Sequence, residues 1–314
     1  MKRSAVLSVV LPMLLGLVAA VGPATAKAPG PMGRLLYVVI TQRCSDCHFT
    51  TIDPDGTDPA HIPDLPFARW SPDGSRLATY GFLPDGRVTT MLLDPDGSNQ
   101  MLFPIDDPTL NTACPFWFAD GTRLLCEAWD DARPHRAPGL FSIDATDGSD
   151  PVRITSNTLG GHDLPADTSP DSTQVVFLRE DPSRRHRPFH IAVADVDGSN
   201  VTPIGPWVPD IAGDVSWAPD GSAILYSHRG SIWSIAPDGT SRVEIPVQTP
   251  NDPHFIFGPV WSPDGTRIAF SMATESTQQF DIYTTAADGT DLQGVTDSRA
   301  LERYLDWGPA PLVP

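Results

Sequence analysis

"RWSPDGSRLATY" (69–80) reads as a strand end, a tight turn and a second strand, and it returns as "VWSPDGTRIAFS" (260–271). Proline presets the first turn residue, aspartate caps the turn and glycine takes the left-handed position, which predicts a three-residue hairpin with a bulge. Aligning the chain on this tryptophan gives Trp70, Trp117, Thr168, Trp217, Trp261 and Trp307, spaced by 47, 51, 49, 44 and 46 residues. A period of this length marks stacked supersecondary units, and four short strands per unit are the propeller signature. Short apolar runs follow each position, such as Leu124-Leu125 and Val175-Val176, as expected of strands packed on both faces.

A second turn recurs once per unit: "DPDG" (53–56 and 94–97), "ATDG" (145–148), "DVDG" (195–198), "APDG" (236–239) and "AADG" (286–289). These later turns outnumber the complete early ones by one, and Arg34-Leu35-Leu36-Tyr37 fits the missing early run. The C-terminal "YLDW" (304–307) therefore supplies the innermost strand of a blade whose other strands come from the N-terminus. The expected fold is all-β: a six-bladed β-propeller over 33–314, four antiparallel strands per blade, its ring closed by that join. The three-residue turn sets Trp70 opposite Arg76, Trp117 opposite Arg123, Trp261 opposite Arg267 and Trp307 opposite Arg34.

The "WSPDG-x-(R)-(I/L)-A-(F)" and "DG-(T/S)" elements, with the divided last blade, resemble the WD-like repeats of the TolB β-propeller family. The resemblance covers the propeller alone, without the additional N-terminal domain of TolB, and it implies the fold more than the function.

Residues 1–26 read as a secretory signal: Lys2 and Arg3, an apolar run from Leu7 to Val21, and Ala24-Thr25-Ala26 before the cut. Residues 27–32 are then a short linker. The run is broken by Pro12 and is short of a permanent anchor, so a periplasmic, cell-envelope or extracellular protein without stable membrane insertion is expected, as a monomer. The net charge of −18 excludes nucleic acid as a natural partner, since that needs clustered positive charge.

"CSDCH" (44–48) has the spacing of covalent c-type haem attachment. On the repeat alignment it falls in a hairpin with no flanking helical domain, so haem on Cys44, Cys47 and His48 is not expected, and a Cys44–Cys47 bridge or two thiols is. In the second blade the hairpin register sets Cys114 opposite Cys126, within disulfide reach in an oxidising compartment.

The sequence contains no G-x-S-x-G elbow, H-E-x-x-H or phosphate loop. The loops between successive blades share one face, where His61, His162, Asp163, Asp210, Asp214 and His254 are candidates to converge at the channel mouth. The leading expectation is a non-catalytic exported scaffold binding a protein or envelope component there. The alternative is a metal-assisted polysaccharide lyase or other carbohydrate-active propeller enzyme, using His162 and His254 around a divalent cation. The basic loop "EDPSRRHRPFH" (180–190) is expected on the opposite face or the rim.

Overall fold

The computed structural model describes residues 32–41, 48–62, 67–132, 139–158, 160–184, 188–208, 215–249, 254–274, 279–298 and 300–309. Residues 1–26, expected to be a secretory signal, lie outside them, as do Cys44 and Cys47. Strands β1 (Met32–Ile40), β2 (His48–Ile52) and β3 (Ala60–Ile62) pair in sequence order. Four antiparallel meanders follow. They are β4 (Arg69–Trp70), β5 (Leu77–Phe82), β6 (Val88–Leu93) and β7 (Met101–Phe103); then β8 (Asn111–Trp117), β9 (Arg123–Trp129), β10 (Phe141–Asp144) and β11 (Val152–Arg153). Next come β12 (Asp163–Thr168), β13 (Gln174–Glu180), β14 (Phe189–Asp195) and β15 (Thr202–Val208), then β16 (Ser216–Trp217), β17 (Ile224–His228), β18 (Ser231–Ile235) and β19 (Val243–Ile245). The run β20 (His254–Trp261), β21 (Arg267–Thr274), β22 (Phe280–Ala286) and β23 (Gln293–Gly294) repeats the order. Last, β24 (Leu301–Pro309) pairs antiparallel with β1, with Trp307 opposite Leu35. A single parallel pairing of Phe280 with Leu301 joins β22 to β24, so the last and first of these four-stranded antiparallel units are continuous; such units set side by side are the arrangement of a β-propeller.

The packing follows from adjacent residues pointing to opposite faces of a strand. On the second strand of each unit, consecutive residues enter different cores. Leu36 packs with Trp70 and Leu77, and its neighbour Leu35 packs with Val260 and Ala269. Likewise Leu124 and Leu125 divide between two clusters, as do Val175 and Val176, and Ile224 and Leu225. Each apolar cluster is thus shared by two successive sheets, and each large side chain in it contributes roughly 1.5–3 kcal/mol. The inner strands also touch in order, β4 to β8, β12, β16, β20, β24 and back to β4. The residue preceding Trp307, Thr168 or Trp217, each at the Trp position of its repeat, stitches some of these contacts: Asp306 accepts from Trp70 N–H at 2.7 Å, Asp167 from Trp217 N–H at 2.7 Å, and Ser216 from Trp261 N–H at 3.3 Å.

The register differs by one residue from the expected one. Trp70 faces Leu77, Trp117 faces Leu124, Trp261 faces Ile268, and Trp307 faces Leu35. At the three hairpins the cause is a turn one residue longer than expected: Ser71 N–H donates to Arg76 O at 2.8 Å, Phe118 N–H to Arg123 O at 2.9 Å and Ser262 N–H to Arg267 O at 2.9 Å, while Trp307 and Leu35 keep the same register with no turn between them. Trp and Arg therefore do not stack. The tryptophans enter the shared cores, and the arginines bind carboxylates around the later turn: Arg34 to Asp53 at 3.1 Å, Arg123 to Asp150 at 3.0 Å, Arg267 to Asp291 at 2.7 Å.

Cys114 and Cys126 are nonetheless bridged, with Cα atoms 3.9 Å apart. A bulge between Ala113 and Phe116 makes up the missing residue and brings the cysteines opposite each other. Matching irregularities interrupt β12 at Pro165–Asp167 and β20 at Phe257–Val260. Pro115, Pro165 and Pro259 lie at these points, where a residue without an N–H is tolerated because the ladder is already broken.

Beside the bulge, Glu127 pairs with Ala113 across the ladder, and burial pushes its carboxyl up to about 7. The folded chain holds this proton more tightly than the unfolded chain does. The penalty for ionising it is therefore absent below the ordinary carboxyl range and complete once pH exceeds about 7. Glu127→Gln is expected to leave urea stability unchanged at pH 4 and to raise it at pH 8, by at most about 3 kcal/mol. Replacing both Cys114 and Cys126 by Ala is expected to cost about 3 kcal/mol in the same assay, the bridge closing a short loop.

Candidate functional site

Strand direction alternates within each sheet, so hairpins between first and second strands share one face with those between third and fourth. The hairpins between second and third strands lie on the other face, together with the sheet-to-sheet connections. The basic loop 180–190 joins β13 to β14 and so belongs to the same face as His162, not to the opposite one. The contacts agree: His162 N–H donates to Glu180 Oε2 at 3.0 Å, and Glu180 N–H donates to His162 O at 2.8 Å.

Asp163, expected in an open loop, is 3% exposed at the start of β12. Arg179 donates to both its oxygens at 2.8 Å, and the Thr155 hydroxyl donates to Oδ2 at 2.7 Å. All of this is cross-strand packing, because Asp163 stands opposite Arg179 in the ladder. His190 on β14 is buried nearby, and burial first, then the Arg179 charge, lowers its pKa and keeps it neutral. The carboxylate is thus committed to the sheet.

His61 goes elsewhere. On β3, opposite Thr50, it meets the edge of the His48 ring with centroids 4.5 Å apart, and its Nδ1 shares a hydrogen bond of 3.2 Å with the Thr50 hydroxyl. Both imidazoles line a cavity of about 920 Å³ between β1, β2, β3 and β24, with Tyr37, Leu301 and Glu302 among its other walls. Its lining includes neither His162 nor Asp163. His254 pairs with Thr274 in the ladder, and Asp210 and Asp214 lie outside the described residues. Among the described residues, then, the structure does not gather the expected set into one constellation. His48 was legible only as the last residue of "CSDCH". The signal that pairs it with His61 is the "DPDG" turn between their strands, which sets the register.

A second concavity, about 120 Å³, is bordered by all six inner strands at the WSPDG end. Trp70, Trp117, Trp217, Trp261 and Trp307 surround it, with the turn prolines Pro72, Pro170, Pro219 and Pro263 at its rim. Asp167 and Asp306 also line it, each holding the backbone of the next sheet's Trp. Outside this mouth stand the later-turn aspartates. Hydrogen bonds from the Ser or Thr two residues on hold Asp55, Asp96, Asp238 and Asp288 below the usual carboxylate range, so this face stays negative into acid.

No family model and no curated protein matches the chain. Solved structures do. TolB from Acinetobacter baumannii is 18% identical, with a TM-score of 0.66 over 88% of this chain and 67% of that one. A chain of a nidogen/laminin complex is 8% identical, with a TM-score of 0.61 over 88% and 98%. An oligogalacturonate lyase in complex with manganese is 18% identical, with a TM-score of 0.53 over 86% and 74%. The chain has a TolB-like propeller fold.

Because the Asp163 carboxylate is buried against Arg179, Asp163→Ala is expected to cost about 3 kcal/mol in urea denaturation by leaving the guanidinium uncompensated. His162→Ala, which keeps the backbone bonds to Glu180, is expected to cost less than about 1 kcal/mol.

Proposed function

We propose that this is an exported, non-catalytic propeller of six four-stranded blades, its ring closed by β24, that holds a protein partner or envelope component at the WSPDG end of its channel. The six-bladed closure is supported by apolar clusters shared between every pair of successive sheets and by the pairing of β24 with β1. Export is supported by the leader pattern and by the Cys114–Cys126 bridge, which needs an oxidising compartment.

The observation that carries the binding reading is the mouth itself. It has room for about one side chain, its wall is aromatic, Asp167 and Asp306 line it against one buried cation, Arg69, and its face is acidic. A cationic side chain of a partner fits that chemistry, drawn by the field of the face and stabilised against indole rings. The likeness to a propeller solved within a nidogen/laminin complex supports a protein ligand.

The test is site-specific photocrosslinking in an envelope fraction, with benzoylphenylalanine at Ala119 or Pro219 on the WSPDG face and at His162 on the other. Adducts are expected from Ala119 and Pro219, with a yield that falls as salt rises. Adducts from His162 alone would overturn the choice of face. Manganese-dependent cleavage of oligogalacturonate by the purified protein would overturn the non-catalytic reading in favour of the lyase alternative.

A further inference from the structure

The cavity between β1, β2, β3 and β24 lies apart from the channel mouth and has a built polar wall. Its other walls are largely apolar, including Val39, Ile40 and Leu301. Two imidazoles converge on one side, the His48 and His61 rings meeting at an interplanar angle of 87° with centroids 4.5 Å apart. Cross-strand geometry fixes them, because Thr50 stands opposite His61 while His48 precedes it by two residues on the same face of β2.

A hydrogen bond behind His61 orients the ring. The Thr50 hydroxyl, on a residue 2% exposed, lies 3.2 Å from His61 Nδ1. In the tautomer that donates Nδ1–H to the Thr50 oxygen, the ring's bare lone pair is on Nε2. Holding one imidazole nitrogen so that the other is available is what the partner behind a metal-bound histidine does. Glu302, 2% exposed, also lines the cavity, its Oε2 accepting from the Thr296 hydroxyl, and it does not join the two imidazoles in one cluster.

We propose that His48 and His61 form a binding site for a late first-row divalent cation, Cu²⁺ or Zn²⁺. Neutral imidazoles favour these ions, copper more than zinc. No three His, Cys, Asp or Glu side chains among the described residues converge as a metal cage, so solvent completes the coordination and the bound ion keeps exchangeable positions. Such a site carries or presents an ion; it does not build the fold. It is independent of the partner proposed for the channel mouth.

Calorimetric titration of the chelator-treated protein with CuCl₂ or ZnCl₂ tests the site, and electron paramagnetic resonance of the Cu²⁺ form identifies its ligands. One ion per chain is expected, with superhyperfine splitting from two imidazole nitrogens. His48→Ala and His61→Ala should each weaken binding at least about tenfold and leave one nitrogen. Thr50→Val should weaken it about ten- to a hundredfold with both nitrogens retained, since it removes only the orienting bond. His162→Ala should bind as the parent does, and the Cys44→Ser/Cys47→Ser double variant should keep the ion. The proposal fails if the parent binds no stoichiometric ion, if His61→Ala binds as tightly as the parent, if the double Cys variant loses the ion, or if the purified protein shows a Soret band.

Discussion

Among the described residues, no four-stranded unit has a core of its own. Each second strand sends neighbouring residues to opposite faces, so Leu124 and Leu125, or Ile224 and Leu225, stabilise different pairs of sheets. A single four-stranded sheet would expose both apolar faces, and the structure is stable only as a set. The channel mouth follows from the same constraint. The tryptophans that surround it stand at the ends of inner strands whose side chains are required by the shared cores, and Asp167 and Asp306 line it because they bind the next sheet's backbone.

This constraint explains what could be read from the sequence. The period of the tryptophans, the alternation of turns and the paired apolar residues all report on packing that repeats, so the all-β architecture and the partnership of "YLDW" with the N-terminal strand were legible. The register was not, because it depends on which backbone pair closes the turn. Ser71, Phe118, Ala218 and Ser262 each donate N–H to the carbonyl five residues on, which makes the turn one residue longer than its Pro-Asp-Gly signature suggests, whether or not a hydroxyl is there to help. The Cys114–Cys126 bridge, expected from the shorter turn, forms nevertheless, since the bulge at Pro115 compensates for the same residue. Proline two residues before the Trp was the available signal for that bulge, in "CPFW" and again in "GPVW".

Site residues were less legible because loop acids and sheet acids look alike in a sequence. Asp163 stands among glycine and proline in "GGHDLPAD", yet it opens a strand and spends its charge on Arg179. His48 and His61 lie on either side of a turn, and only the pairing of β2 with β3 shows that they face one cavity. Residue type suggested the chemistry in both cases, and cross-strand register decided which of them had it to offer.

The partnership of β24 with β1 also sets an order in time. Strand β1 is made well before its ladder partner β24, so on a chain synthesised from the N-terminus its inner hydrogen-bonding edge waits while the intervening strands are made. Contacts so distant in sequence form late and slowly, and a waiting edge strand is a template for association with other chains. A molecule of this design gains from remaining unfolded until synthesis is complete. For an exported chain, as proposed above, passage through a secretory channel imposes that delay, and what looks like a weak point of the architecture becomes a match to that route.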